Sequence, residues 1–380
     1  MKRLARNPRL KITVVSAERS DERDPMAERD LSRDLAGAGV SLHVFEKRVA
    51  PAARTARPPL LKRVLSPMHL AWDVLRLRRL AFRFAREHRP CVIHARSYIA
   101  AWAALGVRRR ELCRLVFDPR GALPEELAAA QGWAADSRRY LWWRDLERRL
   151  LRGADTVIAV SEPMAAHFAE RADVSPVVIR NCVDLERFSP GTRTPAPGAP
   201  LRLVFLVGVD VPYQASELAL TLRRAVAAGW PAGAILRVIT PDADAMRARL
   251  GSPEVNCDSL ARDAIPAALA ESDLGVLVRD STVGSLVACP VKFPEYLAAG
   301  LPVLATRGIG EVDAILRDRG VGVSLDPSAT SEWPRHLAPL LARLTSQREE
   351  LRQSARRAAE EIFAWEHSLP LLEHAYGLWR

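Results

Sequence analysis

The chain has 380 residues, which is about the length of two ordinary domains. Apolar residues make up 48% of it and charged residues 27%, a globular composition that excludes an intrinsically disordered chain. The longest apolar stretch, residues 98–107, is too short to cross a bilayer, and no signal-peptide cleavage site follows the basic N-terminus. We therefore expect a two-domain globular protein without a transmembrane helix or signal peptide.

The positive charge is concentrated in the first half of the chain. The formal net charge is +11, yet residues 191–380 carry slightly more acidic than basic side chains, so residues 1–190 hold the whole excess. A basic half beside a nearly neutral half predicts an anionic partner for the first half alone.

The cysteines are scattered along the chain and include no C-x-x-C pair. This spacing predicts neither a disulfide framework nor a zinc site, and it is typical of a protein in a reducing cytoplasm. The five residues are Cys91, Cys113, Cys182, Cys257 and Cys289.

In the first half, apolar runs of strand length alternate with longer amphipathic segments. The runs are rich in Val, Ile, Leu and Phe, the pattern of parallel strands that are buried on both faces. This repetition predicts a doubly wound α/β domain over residues 1–188. The predicted strands are residues 10–17, 40–46, 91–96, 114–119, 156–161 and 177–181, and the predicted helices are residues 26–38, 68–88, 98–110, 137–152 and 163–171.

A stretch rich in proline, residues 189–200, resists helix and central strand and is predicted to be a linker. The alternation then resumes and predicts a second α/β domain over residues 201–363. Ligands of such folds bind at the carboxyl ends of the strands, so we expect the site in a cleft between the two domains. The predicted strands are residues 201–207, 235–240, 274–279, 302–306 and 321–325, and the helices that separate them are residues 215–228, 243–250, 264–271, 292–299 and 311–318.

The most informative segment is CPVKFPEYLAAGLPVLAT, residues 289–306. Its prolines and glycine predict a short helix with Lys292 and Glu295 in the first turn. A lysine there is suited to bind phosphate, and a carboxylate can accept both hydroxyls of a ribose. The same spacing also suits an ordinary surface Lys–Glu pair.

This segment resembles the donor site of family-4 retaining glycosyltransferases of the GT-B fold, and so does ATRGIGEVDAI, residues 305–315. VIHARSYIAAWAAL, FDPRGALPEE, LERRLLRGADTVIAVSEPM and VVIRNCVDLERFSP resemble successive N-terminal segments of such enzymes. The resemblance covers most of the chain. It implies two Rossmann-like domains that face a cleft, with residues 364–380 forming a C-terminal helix that crosses back to the first domain.

The resemblance implies that Glu295 holds the donor ribose. The family pattern has a second glutamate eight residues earlier, where this chain has Val287, and Asp280 is the nearest acidic substitute. Many relatives also carry Arg and Lys after the first strand of the second domain. Here LVGVDVPYQASE has neither, so Lys292 becomes the candidate for the donor diphosphate. The donor site is further predicted to include Phe293, Gly208, Gly308 and Gly310.

Two predicted strand ends of the first domain carry polar side chains. One has His94, Arg96 and Ser97, and the other has Asp118, Arg120 and Gly121. Asp118, Arg120 and His94 are catalytic candidates together with Asp280, because a carboxylate can orient an acceptor hydroxyl and a guanidinium can clamp phosphate. Arg96, Ser97, Gly121 and Arg19 are assigned to the acceptor side.

Asp242 and Asp244 form a D-x-D pattern that can bind a divalent cation, but a polar loop that caps a helix is the favoured interpretation. No catalytic metal and no cofactor are therefore expected. The predicted activity is metal-independent, retaining transfer of a sugar from a nucleotide diphosphate sugar to an acceptor hydroxyl on a glycan, a lipid-linked molecule or a small molecule. The predicted process is cell-envelope glycan biosynthesis.

Two alternatives remain open. One is a sugar-nucleotide epimerase of the same fold, and the other is a non-catalytic protein that binds an anionic membrane or nucleic acid through its basic half. Residues 60–90 form an amphipathic cationic segment, in which Arg76 and Arg79 lie opposite the apolar face. This segment predicts contact with an anionic membrane surface at the cytoplasmic side, whereas no nucleic-acid partner is expected for the enzyme.

Overall fold

The structure is a computed structural model that describes residues 11–16, 67–89, 91–108, 113–196, 198–208, 213–252 and 254–377. The chain divides into two compact units, of which the first comprises residues 1–179 and 369–380 and the second residues 180–368. Arg19, the predicted helix 26–38 and the predicted strand 40–46 lie outside the described residues.

The first unit contains a sheet of five described strands in the order β1-β2-β3-β4-β5, and every neighbouring pair is parallel. Helices separate the strands along the chain, as the sequence predicts. The strands are β1 (Lys11–Ser16), β2 (Cys91–Arg96), β3 (Cys113–Asp118), β4 (Thr156–Ala159) and β5 (Val177–Val178). The helices are α1 (Pro67–Glu87), α2 (Tyr98–Arg108), α3 (Leu123–Gln131), α4 (Arg138–Gly153) and α5 (Glu162–Ala172).

Helix α1 covers the sheet with one apolar stripe. The five side chains predicted to share a face are all buried, namely Leu70, Val74, Leu77, Ala81 and Phe84. The arginines at the same helical steps on the other face are exposed, namely Arg76, Arg79, Arg83 and Arg86. Each buried large side chain contributes about 1.5–3 kcal/mol to folding, so the apolar face holds the helix in place. The predicted division of this helix into a core face and a cationic face is confirmed.

The second unit contains six parallel strands in the order β11-β10-β9-β6-β7-β8. The strands are β6 (Leu201–Leu206), β7 (Ala234–Ile239), β8 (Val255–Asp258), β9 (Leu274–Leu277), β10 (Val303–Thr306) and β11 (Gly322–Leu325). The helices are α6 (Tyr213–Gly229), α7 (Ala243–Leu250), α8 (Ile265–Ala270), α9 (Val283–Leu286), α10 (Lys292–Ala298), α11 (Val312–Arg319), α12 (Trp333–Ser346), α13 (Arg348–Phe363) and α14 (Trp365–Ala375), which ends in the first unit.

The strand order of the second sheet reverses between β6 and β9. From β6 the chain adds β7 and β8 on one side, and from β9 it adds β10 and β11 on the other. Hydrophobic clusters cover both faces of this sheet, so its strands are mostly apolar. In open α/β sheets such a reversal leaves a crevice at the carboxyl ends of the two central strands. The residues that follow β6 and β9 are therefore placed where ligands bind in this fold.

Tyr296 joins the two central strands where their pairing ends. Its hydroxyl accepts a hydrogen bond from the Leu206 N–H at 2.8 Å and donates one to the Val276 carbonyl at 3.1 Å. A Cβ atom at Gly275 would lie 2.7 Å from the Tyr296 ring, so only glycine fits beneath it. Tyr296 thus fixes helix α10 to the sheet at the strand-order reversal.

The first boundary between the units precedes the linker that the sequence predicts. Val183 and Phe188 are buried in the core of the second unit, and the Val183 N–H donates to the Phe363 carbonyl at 3.0 Å. Arg180 forms an ion pair with Glu311 at 2.7 Å. These contacts place residues 180–188 in the second unit, ahead of the proline-rich residues 189–200.

The end of the chain belongs to the first unit. The Arg114 Nε donates to the Ala375 carbonyl at 3.0 Å, which ties the last helix to strand β3. None of the helices in the described part of the chain is both long and apolar enough to span a membrane.

Three short elements were not predicted, namely α3, β8 and α9. Strand β8 carries the exposed Asn256 between buried Val255 and Cys257, so its apolar content is too small for a prediction from hydrophobicity.

A buried polar network connects helices α3, α4 and α5. Glu147 is completely buried, and its carboxylate accepts a hydrogen bond from the Tyr98 hydroxyl at 2.5 Å. Arg171 forms an ion pair with Glu125, and its Nε lies 3.5 Å from Glu147 Oε2. Burial raises the pKa of Glu147 to about 7, and the negative charge of Glu125 acts in the same direction.

We expect Glu147→Gln to flatten the pH dependence of stability. The raised pKa means that the folded chain binds a proton that the unfolded chain releases above about pH 4.5, so the free energy of unfolding falls as pH rises from about 4.5 to 7. The loss is about 3 kcal/mol at most. Urea unfolding at pH 5 and pH 7.5 measures it, with Glu170→Gln on the surface of α5 as control. An unchanged slope in Glu147→Gln would show that Glu147 does not titrate in this range.

Candidate functional site

The loop after β9 carries the first charged side chains beyond the buried strand. Arg279 has both backbone polar groups bonded to one hydroxyl, because its N–H donates to Thr306 Oγ1 and its carbonyl accepts from the same group, each at 3.0 Å. Thr306 is the last residue of β10 and is buried. The two neighbouring strands thus fix the backbone of Arg279 at the carboxyl edge of the sheet.

Asp280 orders the turn that leads into α9. Its Oδ1 accepts hydrogen bonds from Ser285 Oγ at 2.8 Å and from Thr282 Oγ1 at 3.0 Å, while the Arg279 Nε donates to Ser285 Oγ at 3.2 Å. One carboxylate oxygen of Asp280 is therefore engaged within the turn and the other is not. Val287, where the family pattern has its first glutamate, is buried at the end of α9.

Lys292 and Glu295 are half-buried on α10, and neither forms a hydrogen bond or ion pair within the described part of the chain. Burial lowers the pKa of Lys292 to about 8, with a smaller contribution from the positive charge of Arg279. Burial raises the pKa of Glu295, against the opposing charges of Arg262, Lys292 and Arg187. Unpaired charged groups that have lost part of their hydration are typical of sites that bind a charged ligand.

Arg279 is the residue that the sequence analysis missed here. It adds a second cation beside Lys292, as its effect on the pKa of that amine shows. Nothing in the local pattern VRDSTVG distinguishes it from other surface arginines of this Arg-rich chain. Its position becomes clear only from the pairing of β9 with β10.

Two of the three predicted donor-site glycines are required by backbone geometry. Gly308 has φ of +88° and Gly310 has φ of +47°, and a Cβ atom at Gly310 would lie 1.9 Å from the Ala288 carbonyl oxygen. The Gly310 N–H donates to the Ser285 carbonyl at 3.0 Å. These contacts hold the loop after β10 against the α9 turn. Gly208, just after β6, is exposed and has nothing within 4 Å of a Cβ position.

Phe293 does not have the position that a donor-binding side chain needs. It is 2% exposed and packs edge to face on Phe363, with ring centroids 5.8 Å apart. Its backbone N–H already donates to the Pro290 carbonyl. The structure therefore corrects this assignment, because Phe293 belongs to the core that supports α10.

In the first unit, β2 and β3 bring His94 and Asp118 together. Asp118 is the last residue of β3, and His94 lies two residues before the end of β2. His94 Nε2 lies 3.3 Å from Asp118 Oδ2. The other ring nitrogen, Nδ1, lies 2.8 Å from the Tyr376 hydroxyl. Burial and the charge of Asp118 raise the pKa of Tyr376. The protonated Tyr376 hydroxyl can thus donate a hydrogen bond to Nδ1, which leaves the Nε2–H to donate to Asp118. The sequence analysis missed Tyr376, which is 258 residues beyond Asp118.

The polar residues after β2 and β3 lie in an unusual backbone conformation. Ser97 has φ of +98° and Arg120 has φ of +67°, and a third such non-glycine residue in the described part of the chain, Asp173, merely ends a helix. Arg96 Nε is 3.8 Å from Asp118 Oδ2. Strain of about 1–3 kcal/mol per residue persists where surrounding contacts impose it, frequently at functional sites.

Gly121 has a packing role. A Cβ atom there would lie 2.2 Å from Glu126 Oε1, and its carbonyl accepts from the Tyr98 hydroxyl at 3.2 Å. The structure thus brings together His94, Arg96 and Asp118, with Ser97 and Arg120 adjacent in the chain.

One group of side chains in the described residues has the geometry to hold a metal ion. Atoms of Glu125, Glu147 and His167 lie within 4.8 Å of one another. Arg171 already provides a cation to both carboxylates, so the group is a buried ion network. In the D-x-D pattern, Asp242 caps α7 by accepting from the Ala245 N–H at 3.1 Å, as favoured from the sequence.

We expect Tyr296→Phe to destabilise the second unit. The change leaves the Leu206 N–H and the Val276 carbonyl buried without their partner, which costs about 1–3 kcal/mol. Thermal unfolding of the purified protein measures the effect. Tyr140→Phe is the matched control, because its hydroxyl is only half-buried and water can replace its bond to Glu125. Equal midpoints for the two variants would contradict a bridging role for Tyr296.

Residues 29–187 match the family described as Glycosyltransferase Family 4. No curated protein matches the chain.

Three solved structures show the same fold. Sucrose-phosphate synthase from Thermosynechococcus elongatus is 15% identical, with 97% of this chain and 98% of that chain covered and a TM-score of 0.71. HepE from Anabaena in complex with UDP is 14% identical, with 97% of this chain and 100% of that chain covered and a TM-score of 0.63. WaaG, a glycosyltransferase involved in lipopolysaccharide biosynthesis, is 15% identical, with 97% of this chain and 99% of that chain covered and a TM-score of 0.60.

At this level of identity the structures establish the fold, and the family match concerns the N-terminal half. Taken together, they show that the chain has the GT-B fold of these structures and that its residues 29–187 match glycosyltransferase family 4.

Proposed function

We propose that the protein transfers a sugar from a nucleoside diphosphate sugar to an acceptor hydroxyl, with retention of configuration and without a metal ion. One observation carries the proposal. Lys292 and Glu295 are half-buried and unpaired beside Arg279, at the edge where the strand order of the second sheet reverses. A ligand with both anionic groups and neighbouring hydroxyls would satisfy this arrangement, and a nucleoside diphosphate has both.

The two cations are assigned to the diphosphate. Lys292 supplies a compact charge, while Arg279 offers the guanidinium nitrogens that Ser285 does not engage. In the unliganded protein, burial makes the ammonium group of Lys292 easier to deprotonate. A bound anion would favour the charged form again. Two protein cations beside the leaving diphosphate take the part that a metal ion plays in other transferases.

Glu295 is assigned to the ribose of the donor. A carboxylate can accept hydrogen bonds from both hydroxyls of a diol, and that pairing would offset its partial loss of hydration. Asp280 is assigned to hydroxyls of the donor sugar through the oxygen that the α9 turn does not use. It takes the place of the acidic residue that Val287 cannot provide.

The residues at the carboxyl edge of the first sheet are assigned to the acceptor side. Asp118 would orient the acceptor hydroxyl, His94 and Tyr376 hold Asp118 in place, and Arg96 supplies a neighbouring positive charge. Arg120 is assigned to phosphate. No side chain is assigned as a nucleophile, so the acceptor proton would pass to an oxygen of the departing diphosphate on the same face of the sugar. Catalysis then consists of positioning and charge stabilisation.

The first test is nucleotide binding followed by turnover. Calorimetry with UDP, GDP and ADP asks whether the second unit binds a nucleotide at all, and UDP is tried first because HepE was solved with it. Incubation with the matching sugar nucleotide then separates the activities. Release of free sugar or transfer to an acceptor supports a transferase, an isomerised sugar nucleotide supports an epimerase, and no binding to any of the three nucleotides removes the enzyme proposal.

We expect Lys292→Ala and Glu295→Ala each to weaken nucleotide binding or turnover by roughly 30-fold or more, since losing a charged hydrogen bond costs about 2 kcal/mol or more. Stability should change little, because neither side chain has a hydrogen-bond or ion-pair partner among the residues that the structure describes. Arg335→Ala and Glu350→Ala, exposed on α12 and α13, are the matched controls. Wild-type affinity and turnover in both site variants would refute the assignment of the donor site.

Nucleotide affinity should also depend on pH. The pKa of Lys292 is lowered to about 8, so the free site loses this positive charge as pH rises above 8, and affinity for a diphosphate should fall by about tenfold per pH unit there. Calorimetry at pH 7, 8 and 9 measures the trend. Lys292→Arg keeps its charge and should flatten the profile. An equally steep profile in that variant would assign the titration to another group.

We also propose that the acceptor is lipid-linked and belongs to the cell envelope, and that the protein works at the cytoplasmic face of the membrane. The supporting feature is the outer face of α1. Trp72 is 62% exposed and Leu75 is 49% exposed, and Trp72 lies on the same helical face as Arg76, Arg79 and Arg83. An exposed aromatic within a row of arginines suits the interface of an anionic bilayer, where arginine binds headgroups and tryptophan enters the acyl boundary.

This face continues onto helices α2 and α4. A cavity of about 870 Å³ is lined by arginines of α1 and by Trp102 of α2, and the Trp102 ring lies 5.7 Å from that of the exposed Trp142 on α4. WaaG, which shares the fold, is involved in lipopolysaccharide biosynthesis.

We expect salt-sensitive binding to anionic vesicles. Sedimentation with phosphatidylglycerol-containing vesicles should recover the protein at low salt and release it at high salt. The double change Arg76→Ala and Arg79→Ala should weaken partitioning about 30-fold, at about 1 kcal/mol for each arginine. Arg317→Ala with Arg335→Ala, on exposed positions of the second unit, is the control. Equal recovery with neutral and anionic vesicles would favour an acceptor free in solution.

A further inference from the structure

Two cysteines meet at the edge of the first sheet opposite to the functional one. Cys91 and Cys113 are the first residues of β2 and β3, and they are direct partners in the register of these parallel strands. Both are buried, and their Sγ atoms are 2.8 Å apart. Neither residue takes part in the proposed sugar transfer, which uses the opposite ends of the same strands.

The strand pairing gives these two residues the geometry of a disulfide. Adjacent strands are about 4.8 Å apart, which lies within the range of about 4.4–6.8 Å between the Cα atoms of natural disulfides. Closing the remaining gap between the sulfur atoms requires a shift of less than about 1 Å to reach the bonded length of about 2.05 Å. The backbone register already provides what a disulfide needs.

The two sulfur atoms also differ in their electrostatic environment. The pKa of Cys113 is lowered, chiefly because the Cys91 thiol donates a hydrogen bond to it, and the nearby charge of Arg89 acts in the same direction. The pKa of Cys91 is raised by the same hydrogen bond and by burial. Cys113 thus ionises more readily than Cys91, and Cys91 is positioned to resolve an oxidised Cys113.

We propose that Cys91 and Cys113 form an oxidation site at which a peroxide converts the two thiols into a disulfide between β2 and β3. The Cys113 thiolate attacks one oxygen of hydrogen peroxide, the O–O bond breaks, and the products are a sulfenic acid and, after protonation, water. The Cys91 sulfur then attacks Cys113 Sγ, the S–O bond breaks, and the hydroxide leaves with the Cys91 proton as a second water. Two thiols and one peroxide give one disulfide and two waters.

The other three cysteines lack these features. Burial raises the pKa of Cys257, and it raises that of Cys289 to about 11. Cys182 also has a raised pKa, and its thiol donates to Ser368 Oγ at 3.1 Å. Thiolate character governs oxidation, so peroxide should select the Cys91–Cys113 pair among the five.

Peptide mapping of the full-length protein tests the proposal. The reduced protein is treated with hydrogen peroxide, denatured, alkylated with iodoacetamide and digested with trypsin. Cleavage at arginines places the two residues in separate peptides, 87–96 and 111–114. We expect these peptides to appear joined, with two hydrogen atoms fewer than their sum, and to separate on reduction, while the other three cysteines are alkylated.

Two variants complete the experiment. Cys257→Ser should leave the cross-link intact. Cys91→Ser should abolish it and leave Cys113 as a sulfenic acid that dimedone captures. Alkylation of all five cysteines after peroxide treatment of the wild-type protein, or a disulfide between any other pair, would overturn the proposal. The wild-type result decides even if Cys91→Ser fails to fold.

Discussion

The hydroxyl of Tyr296 connects two strands of the second sheet at the point where they stop pairing with each other. β6 and β9 share only a short register, from Leu203 with Leu274 to Val204 with Gly275, and then diverge. Beyond that point the backbone groups of Leu206 and Val276 have no strand partner on the facing side, and one phenol satisfies both. Because Tyr296 lies on α10, the same contact fixes Lys292 and Glu295 beside the place where the strands separate. The positions of Lys292 and Glu295 therefore depend on a buried residue whose hydroxyl is satisfied by the two strands.

The charged groups of the two units differ in how far other protein groups satisfy them. In the first, His94, Asp118 and Tyr376 satisfy one another, so their positions are set before any ligand arrives. In the second, Lys292 and Glu295 have given up part of their hydration, and neither forms a hydrogen bond or ion pair with another described residue. In both units the charged groups of the candidate site lie at or near the carboxyl ends of strands that are largely buried on two faces. One edge is suited to hold a neutral hydroxyl in a fixed direction, and the other is suited to attract an anion.

Much of the secondary structure was predictable from the sequence, because hydrophobic runs and proline positions are local signals. The parallel strands, the core face of α1 and the helix that carries Lys292 all follow from them. Arg279 and Tyr376 were not predictable, because their roles depend on pairings between distant segments. The Cys91–Cys113 pair was hidden for the same reason, since the register of β2 and β3 brings together residues that look unrelated in the sequence. Phe293 was misassigned because a short helix has both a ligand side and a core side, and sequence spacing does not distinguish them.

Because lysine is scarce, Lys292 offers a selective site for chemical labelling in the second unit. Arginine greatly outnumbers lysine in this chain, and Lys292 is the only lysine after residue 62. With its pKa lowered to about 8, about half of its amines are unprotonated at pH 8 and free to react with acylating reagents. An isotope-labelled methyl group or a fluorophore attached at that pH would therefore report from a single position in the second unit, without any cysteine being introduced for labelling.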